Sequence, residues 1–116
     1  RSVDQGKNFY HSSSSGPWLI TMDEVPEDFR DMKLTTRLNG KVMQASDLGK
    51  LCFDVSDLVS YYSQIFYFQP GDMIATGTPG GVGSRRDPPV WMKPGDELEV
   101  EITGIGILKN VVVGEN

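Results

Sequence analysis

The sequence predicts an α+β fold, mostly antiparallel strands wrapped as a roll or partly open barrel with one main helix. Three observations predict it. Asn39-Gly40 stands between two strand-like runs, the strongest short-range signal of a β-hairpin. Glu97-Leu98-Glu99-Val100-Glu101-Ile102 alternates strictly, as a strand with one face toward a core does. Between them Val55, Leu58, Val59, Tyr62, Ile65 and Phe66 recur at helical spacing behind Asp54.

Residues 1–17 are polar and irregular, and Ser12 to Ser15 read as a flexible loop. Serine-nucleophile chemistry would want a Gly-x-Ser-x-Gly elbow, which is absent. Trp18-Leu19-Ile20-Thr21-Met22 reads as a short strand ended by Asp23-Glu24-Val25-Pro26. Lys33 to Leu38 then alternates, with Leu34, Thr36 and Leu38 on one face, and Lys41-Val42-Met43-Gln44 returns as the partner strand.

Asp54 is a good N-cap for the helix, and Asp57 in the first turn suits the helix dipole. The spacing places Tyr62 in the core and Tyr61 on the flank, and Gln69-Pro70-Gly71 stops the helix. Pro70-Gly71-Asp72 is a turn signal, and Met73-Ile74-Ala75 after it reads as a buried strand. Lys93-Pro94-Gly95-Asp96 reuses that turn chemistry and launches the alternating strand. Leu98, Val100 and Ile102 point inward. Glu99 and Glu101 have the look of paired carboxylates for a divalent cation, but the simpler reading of Glu97, Glu99 and Glu101 is a solvated face that discourages edge pairing. A turn or bulge at Gly104 to Gly106 leads to a closing strand, 107–113.

At 116 residues the chain is one domain at most. Its net charge of −5 leaves no footprint for nucleic acid, and Arg85-Arg86 is too short a basic run to count. There is no secretory or membrane-spanning run, so a membrane partner is not expected. Cys52 is the one cysteine and cannot form an internal disulfide, which makes a reducing compartment the default.

The stretch that carries most information is 70–83, where Gly77, Gly80, Gly81 and Gly83 follow the apolar run. It is neither a phosphate loop, since Ser84-Arg85 replaces Gly-Lys-Ser/Thr, nor a dinucleotide fingerprint, since Asp87-Pro88-Pro89 follows instead of a helix. Two readings remain. The glycines turn the chain, or they let backbone N–H groups and the Thr78 hydroxyl meet an oxygen-rich ligand.

Seven stretches in order resemble the C-terminal half of the catalytic domain of the fumarylacetoacetate hydrolase family. They are Gly6-Lys7-Asn8-Phe9, Gly16-Pro17-Trp18, Asn39-Gly40-Lys41-Val42, residues 70–79, Gly81-Val82-Gly83, residues 88–96 and residues 104–110. The resemblance implies that residues 1–116 are that C-terminal part, with the N-terminal part absent. It implies a magnesium-dependent hydrolase, lyase, decarboxylase or isomerase acting on acylpyruvates or unsaturated 2-oxo (di)carboxylic acids through a metal-stabilised enolate. Manganese or calcium would be the alternative ions, and a homodimer in the cytoplasm, or in the mitochondrion of a eukaryote, the expected setting.

By the same resemblance Lys7 is catalytic, beside the metal shell and the substrate oxyanion. Thr78 and Gly77 would hold the substrate carboxylate, and Arg85 a distal carboxylate, with a surface arginine as its plainer reading. No metal ligand is assigned on this chain: the family's Glu-x-Glu pair lies upstream. Tyr10 and His11 stand where the family continues Phe-Asp-Thr, and His11, an imidazole, suits hard magnesium poorly. Residues 46–53 also differ from the family's Asn-Thr-x-x-Met pattern. The alternative is a non-catalytic homologue or fragment serving as a binding or assembly module.

Overall fold

The computed structural model describes residues 9, 11–26 and 28–114. Lys7 therefore lies outside the described residues. The hairpin forms as its turn dictates. Asn39 and Gly40 take φ values of 50° and 76°, a pairing that suits the twist of the flanking strands, β1 (Lys33–Leu38) and β2 (Lys41–Asp47). β3 (Glu97–Ile102) and β4 (Gly106–Val111) complete an open antiparallel sheet in the order β2-β1-β3-β4. The one α-helix among the described residues, α1 (Val55–Ser63), follows β2. The Asp57 carboxylate accepts from the Asp54 N–H (3.3 Å), while the Asp54 carboxylate takes Arg30 Nη2 (2.8 Å).

Register assigns the two faces. Leu34, Thr36 and Leu38 stand opposite Ile102, Val100 and Leu98, and Val100 stands opposite Leu108. This apolar face is crossed at the β4 side by residues 14–18. Ser14 Oγ accepts from Asn110 Nδ2 (2.9 Å), and a Cβ added at Gly106 would stand 3.2 Å from Pro17 Cγ and 3.6 Å from Trp18 Nε1. Trp18 and its neighbours thus cover β4 from an irregular segment; they are not the strand that the sequence predicts at 18–22.

The other face carries charge. Arg37 pairs with Glu101 (2.6 Å) and Glu99 (3.9 Å), and Lys109 pairs with Glu97 (2.7 Å) and Glu99 (3.7 Å). The glutamates are therefore not simply solvated. Glu99, only 21% exposed, sits between two cations on neighbouring strands. β3 is also an inner strand, so its charges do not guard an edge.

The two Pro-Gly-Asp turns are built alike. Asp72 accepts from the Gln69 N–H and Asp96 from the Lys93 N–H, both at 2.8 Å. Their sequels differ. Asp96 leads into β3, whereas residues 73–76 form no strand and Met73 is 83% exposed, against the buried strand expected there. The apolar stripe after Asp54 also extends past the helix. Ile65 and Phe66 lie beyond Ser63 and are exposed, while Tyr62 is half-buried and Tyr61 exposed, as their spacing predicts. The closing strand ends at Val111 rather than 113.

Among the described residues Met32, 5% exposed, is the one buried apolar residue. The accessible surface is 9844 Å², where a folded monomer of 12.8 kDa exposes about 6,300 Å². The radius of gyration, 15.7 Å, exceeds the roughly 13 Å of a self-contained domain of this length. Strands and helix form, but the apolar surfaces they present are largely uncovered.

Candidate functional site

The 70–83 stretch reaches the sheet at β2, and a bulge makes the junction. Thr36 stands opposite Gln44 and Arg37 opposite Val42, so Met43 is an extra residue on β2. One extra residue reverses which face each later side chain takes. Gln44 consequently shares the apolar face with Thr36 and Val100 instead of the charged face with Arg37.

From there the Gln44 amide nitrogen donates to Thr78 Oγ1 (3.1 Å) and to the Pro79 carbonyl (2.9 Å). Two amide hydrogens thus meet two acceptors. Arg86 makes the second tie: Nε donates to the Gly81 carbonyl (3.0 Å) and Nη2 to the Met43 carbonyl. Gly81, at φ 97°, rests against that same carbonyl, and a Cβ there would overlap the Met43 oxygen well inside van der Waals contact. The glycine is required by closeness as much as by conformation.

Thr78 and Gly77 line a cavity of about 220 Å³ together with Leu34, Ser46, Lys50 and Cys52. Lys50 Nζ lies 3.0 Å from the carboxylate of Asp47, also on the wall, and its hydrogen bond holds the Asp47 carboxyl below its ordinary value. That negative charge is matched, so the wall does not repel an anion. Thr78 already accepts from Gln44, and a hydroxyl that accepts still has one hydrogen to donate.

Gly77 and Thr78, neighbours in the chain, both line this cavity. Arg85 ends the short 3-10 turn Gly83–Arg85, is exposed, and does not line this cavity. Sequence reasoning missed Gln44 and Arg86. Gln44 reads as one polar strand residue among others, and Arg86 as half of a short basic pair; only the bulge and the loop's return reveal them. His11 sits at φ 55° in an exposed turn, where Ser12 bonds back to Phe9. No group of three His, Cys, Asp or Glu side chains among the described residues is placed to hold a metal ion. No helix among them is long and apolar enough to cross a membrane.

A larger hollow of about 440 Å³ lies between the end of α1 and residues 72–75. Its walls are mostly aromatic and aliphatic, among them Tyr62, Phe66, Tyr67 and Met73. Its carboxylate, Asp72, is occupied by the Gln69 N–H. Its hydroxyl groups are the phenols of Tyr62 and Tyr67, and the glycine loop with Thr78 lies on the smaller cavity, which is the candidate site.

Comparison with known proteins gives the following. The family profile described as fumarylacetoacetate (FAA) hydrolase C-terminal matches residues 2–113. Human oxaloacetate tautomerase FAHD2B, mitochondrial, is 44% identical over 108 residues, 93% of this chain and 34% of its own length. A fumarylacetoacetate hydrolase structure from psychrophilic Exiguobacterium antarcticum superposes with a TM-score of 0.80 at 38% identity, over 86% of this chain and 35% of that one. Maleylpyruvate hydrolase from Sphingobium sp. SYK-6, solved in complex with manganese (II) ion and pyruvate, gives 0.73 at 33% identity, over 84% and 34%. The chain spans about a third of the length of these relatives.

Proposed function

Because the chain belongs to the fumarylacetoacetate hydrolase family, we propose that it is the C-terminal part of a divalent-metal-dependent hydrolase, lyase or isomerase of acylpyruvates or unsaturated 2-oxo (di)carboxylic acids. The observation that supports this most is the Thr78 hydroxyl. It accepts from Gln44 at a cavity whose one acidic wall residue is paired, and in this reading its own hydrogen goes to the substrate carboxylate.

The described residues do not form a metal cage, so the ligands of magnesium, or of manganese or calcium in its place, are proposed upstream of this chain. The ion would supply a Lewis acid for the two adjacent oxygens of a 2-oxo acid. This chain's own part is to bind and orient the acid. Thr78 donates to the carboxylate, and Gly77 leaves the approach unobstructed, with no atom within 4 Å of where its Cβ would be. Lys7 adds positive charge beside the oxygen that becomes enolate. Arg85 is proposed to meet the far carboxylate of a diacid.

The uncovered surface of the sheet and of α1 supports a larger assembly. We propose that the rest of the catalytic domain covers it, that the complete protein pairs as a homodimer, and that it works in the cytoplasm or, in a eukaryote, the mitochondrion. The relatives include a tautomerase and hydrolases, and fold alone does not choose among their reactions. The test is a panel of acylpyruvates, unsaturated 2-oxo diacids and oxaloacetate, assayed on the complete protein with and without magnesium or manganese. Metal-dependent turnover of at least one member is the expected result. No turnover of any member, with metal bound, would leave the binding-module alternative.

A further inference from the structure

We propose that Gln44 is a positioning residue for the carboxylate-binding hydroxyl, fixing the direction in which Thr78 presents its hydrogen. The inference rests on the reading of Thr78 given above and adds a residue to it.

A threonine hydroxyl is ambivalent: it rotates about Cβ–Oγ and can donate or accept in any direction. Left to itself, it can turn its hydrogen toward the nearest carbonyl. Here the Pro79 and Gly80 carbonyls share the Gln44 nitrogen with it, at 2.9 and 3.5 Å from that nitrogen. Gln44 removes that choice. Its NH₂ group occupies the space in front of those carbonyls and places a hydrogen on Thr78 Oγ1. The three surrounding oxygens also settle the amide's orientation, because a side-chain oxygen in that place would face carbonyl oxygens. With one lone pair of Oγ1 engaged, the hydroxyl hydrogen points away from Gln44 and into the cavity that Thr78 lines.

The bulge at Met43 is what makes this arrangement available, since it turns Gln44 to the loop's face of the sheet. The carbonyl it frees, that of Met43, is claimed by Arg86 and holds the loop at the distance the amide needs. Gln44 touches no reacting atom in this scheme. It acts through Thr78.

The experiment uses the complete protein, with pyruvate as the probe in the presence of saturating manganese, and measures affinity by calorimetry at pH 8 and pH 5. Four variants are compared: Thr78→Val, Gln44→Leu, the double variant, and Gln44→Glu, which keeps the side chain's size. Thr78→Val and Gln44→Leu are each expected to weaken pyruvate about tenfold, the scale of one hydrogen bond to a charged group. The double variant should be no weaker than Thr78→Val alone, and manganese affinity should stay level throughout. Gln44→Glu should bind more weakly than Gln44→Leu at pH 8, because an ionised carboxylate accepts the Thr78 hydrogen and turns it out of the cavity. Its deficit against the parent protein should narrow at pH 5 at unchanged melting temperature, because the three oxygens that face the introduced carboxyl disfavour its charge and raise the pH at which it regains a proton to donate. If Thr78→Val weakens pyruvate and Gln44→Leu does not, or the two losses add, Gln44 is a structural strand residue and the inference falls while the Thr78 reading stands. If Thr78→Val itself leaves pyruvate unaffected, the Thr78 reading falls and takes this inference with it.

Discussion

Three glycines of one loop meet three different surroundings, so alanine at each should cost a different amount. At Gly80 a Cβ would have nothing within 4 Å, and the backbone is not in the left-handed region. Gly80→Ala should be neutral or stabilise by about 0.5 kcal/mol, through lost freedom in the unfolded chain. Gly77 also has open space, but its φ of 110° strains any side chain, so Gly77→Ala should cost about 1–2 kcal/mol. Gly81 combines a φ of 97° with a Cβ placed on the Met43 carbonyl oxygen, and Arg86 Nη2 at 3.3 Å closes the other side. The loop must lift from β2 to make room. Lifting it breaks the Gln44 bond to Pro79 and the Arg86 bond to Met43, each worth about 1 kcal/mol or more. Added to the backbone strain, Gly81→Ala should cost roughly 3–5 kcal/mol. Denaturant unfolding of the complete protein measures all three on one scale, and pyruvate binding should fail in the same order. Equal stabilities for Gly80→Ala and Gly81→Ala would refute the docking of this loop on the bulge.

Further outcomes follow from other parts of the chain. Lys7→Met keeps the stem and removes the charge, so kcat should fall about 10²–10³-fold with little change in metal affinity; near-normal kcat with metal bound would return Lys7 to the solvated surface. Arg86→Ala should destabilise by about 1–3 kcal/mol and weaken pyruvate, since the Gly81 carbonyl of the loop and the Met43 carbonyl of β2 lose their donor. Arg85→Ala should leave stability within about 0.5 kcal/mol and raise KM for diacids only, as steady-state kinetics on mono- and dicarboxylic substrates would show. The Asn39 side chain, helped by the Lys93 N–H, holds the Asp96 carboxyl below its ordinary value. A lowered pKa contributes stability above the ordinary value near pH 4 and loses it as pH falls through the native value. Melting temperatures of the parent protein and Asp96→Asn should therefore converge below about pH 4 and keep a constant gap above pH 5; parallel profiles would contradict this.

What the sequence makes legible is local chemistry with one solution. Asn39-Gly40 admits few turns, and the two Pro-Gly-Asp turns carry their own cap in the aspartate, so hairpin and turns appear where the sequence places them. What it leaves obscure depends on neighbours distant in the chain. The alternation of Glu97, Glu99 and Glu101 is plain, but the cations that meet them, Arg37 and Lys109, follow only from strand order. Met73-Ile74-Ala75 has the composition of a buried strand, yet no strand lies beside it among the described residues and Met73 stays exposed. Trp18 reads as strand by hydrophobicity and works instead as a cover over Gly106. Gln44 is the sharpest case. Regular alternation assigns it to the charged face, and one inserted residue, invisible to pattern reading, moves it to the site. Thr78 and Gly77 stand out in the sequence because the glycine density around them is local.

The central claim is that this chain carries the carboxylate-binding side of a metal-dependent 2-oxo acid site whose metal ligands lie elsewhere in the complete protein. Paired calorimetric titrations test it most directly: manganese, then pyruvate, into the complete protein and into residues 1–116 alone. The account predicts one tight manganese site on the complete protein, pyruvate binding that requires the metal and weakens about tenfold in Thr78→Val, and no stoichiometric manganese site on the isolated chain. A tight one-to-one manganese site on residues 1–116 would contradict it and return attention to Glu99 and Glu101.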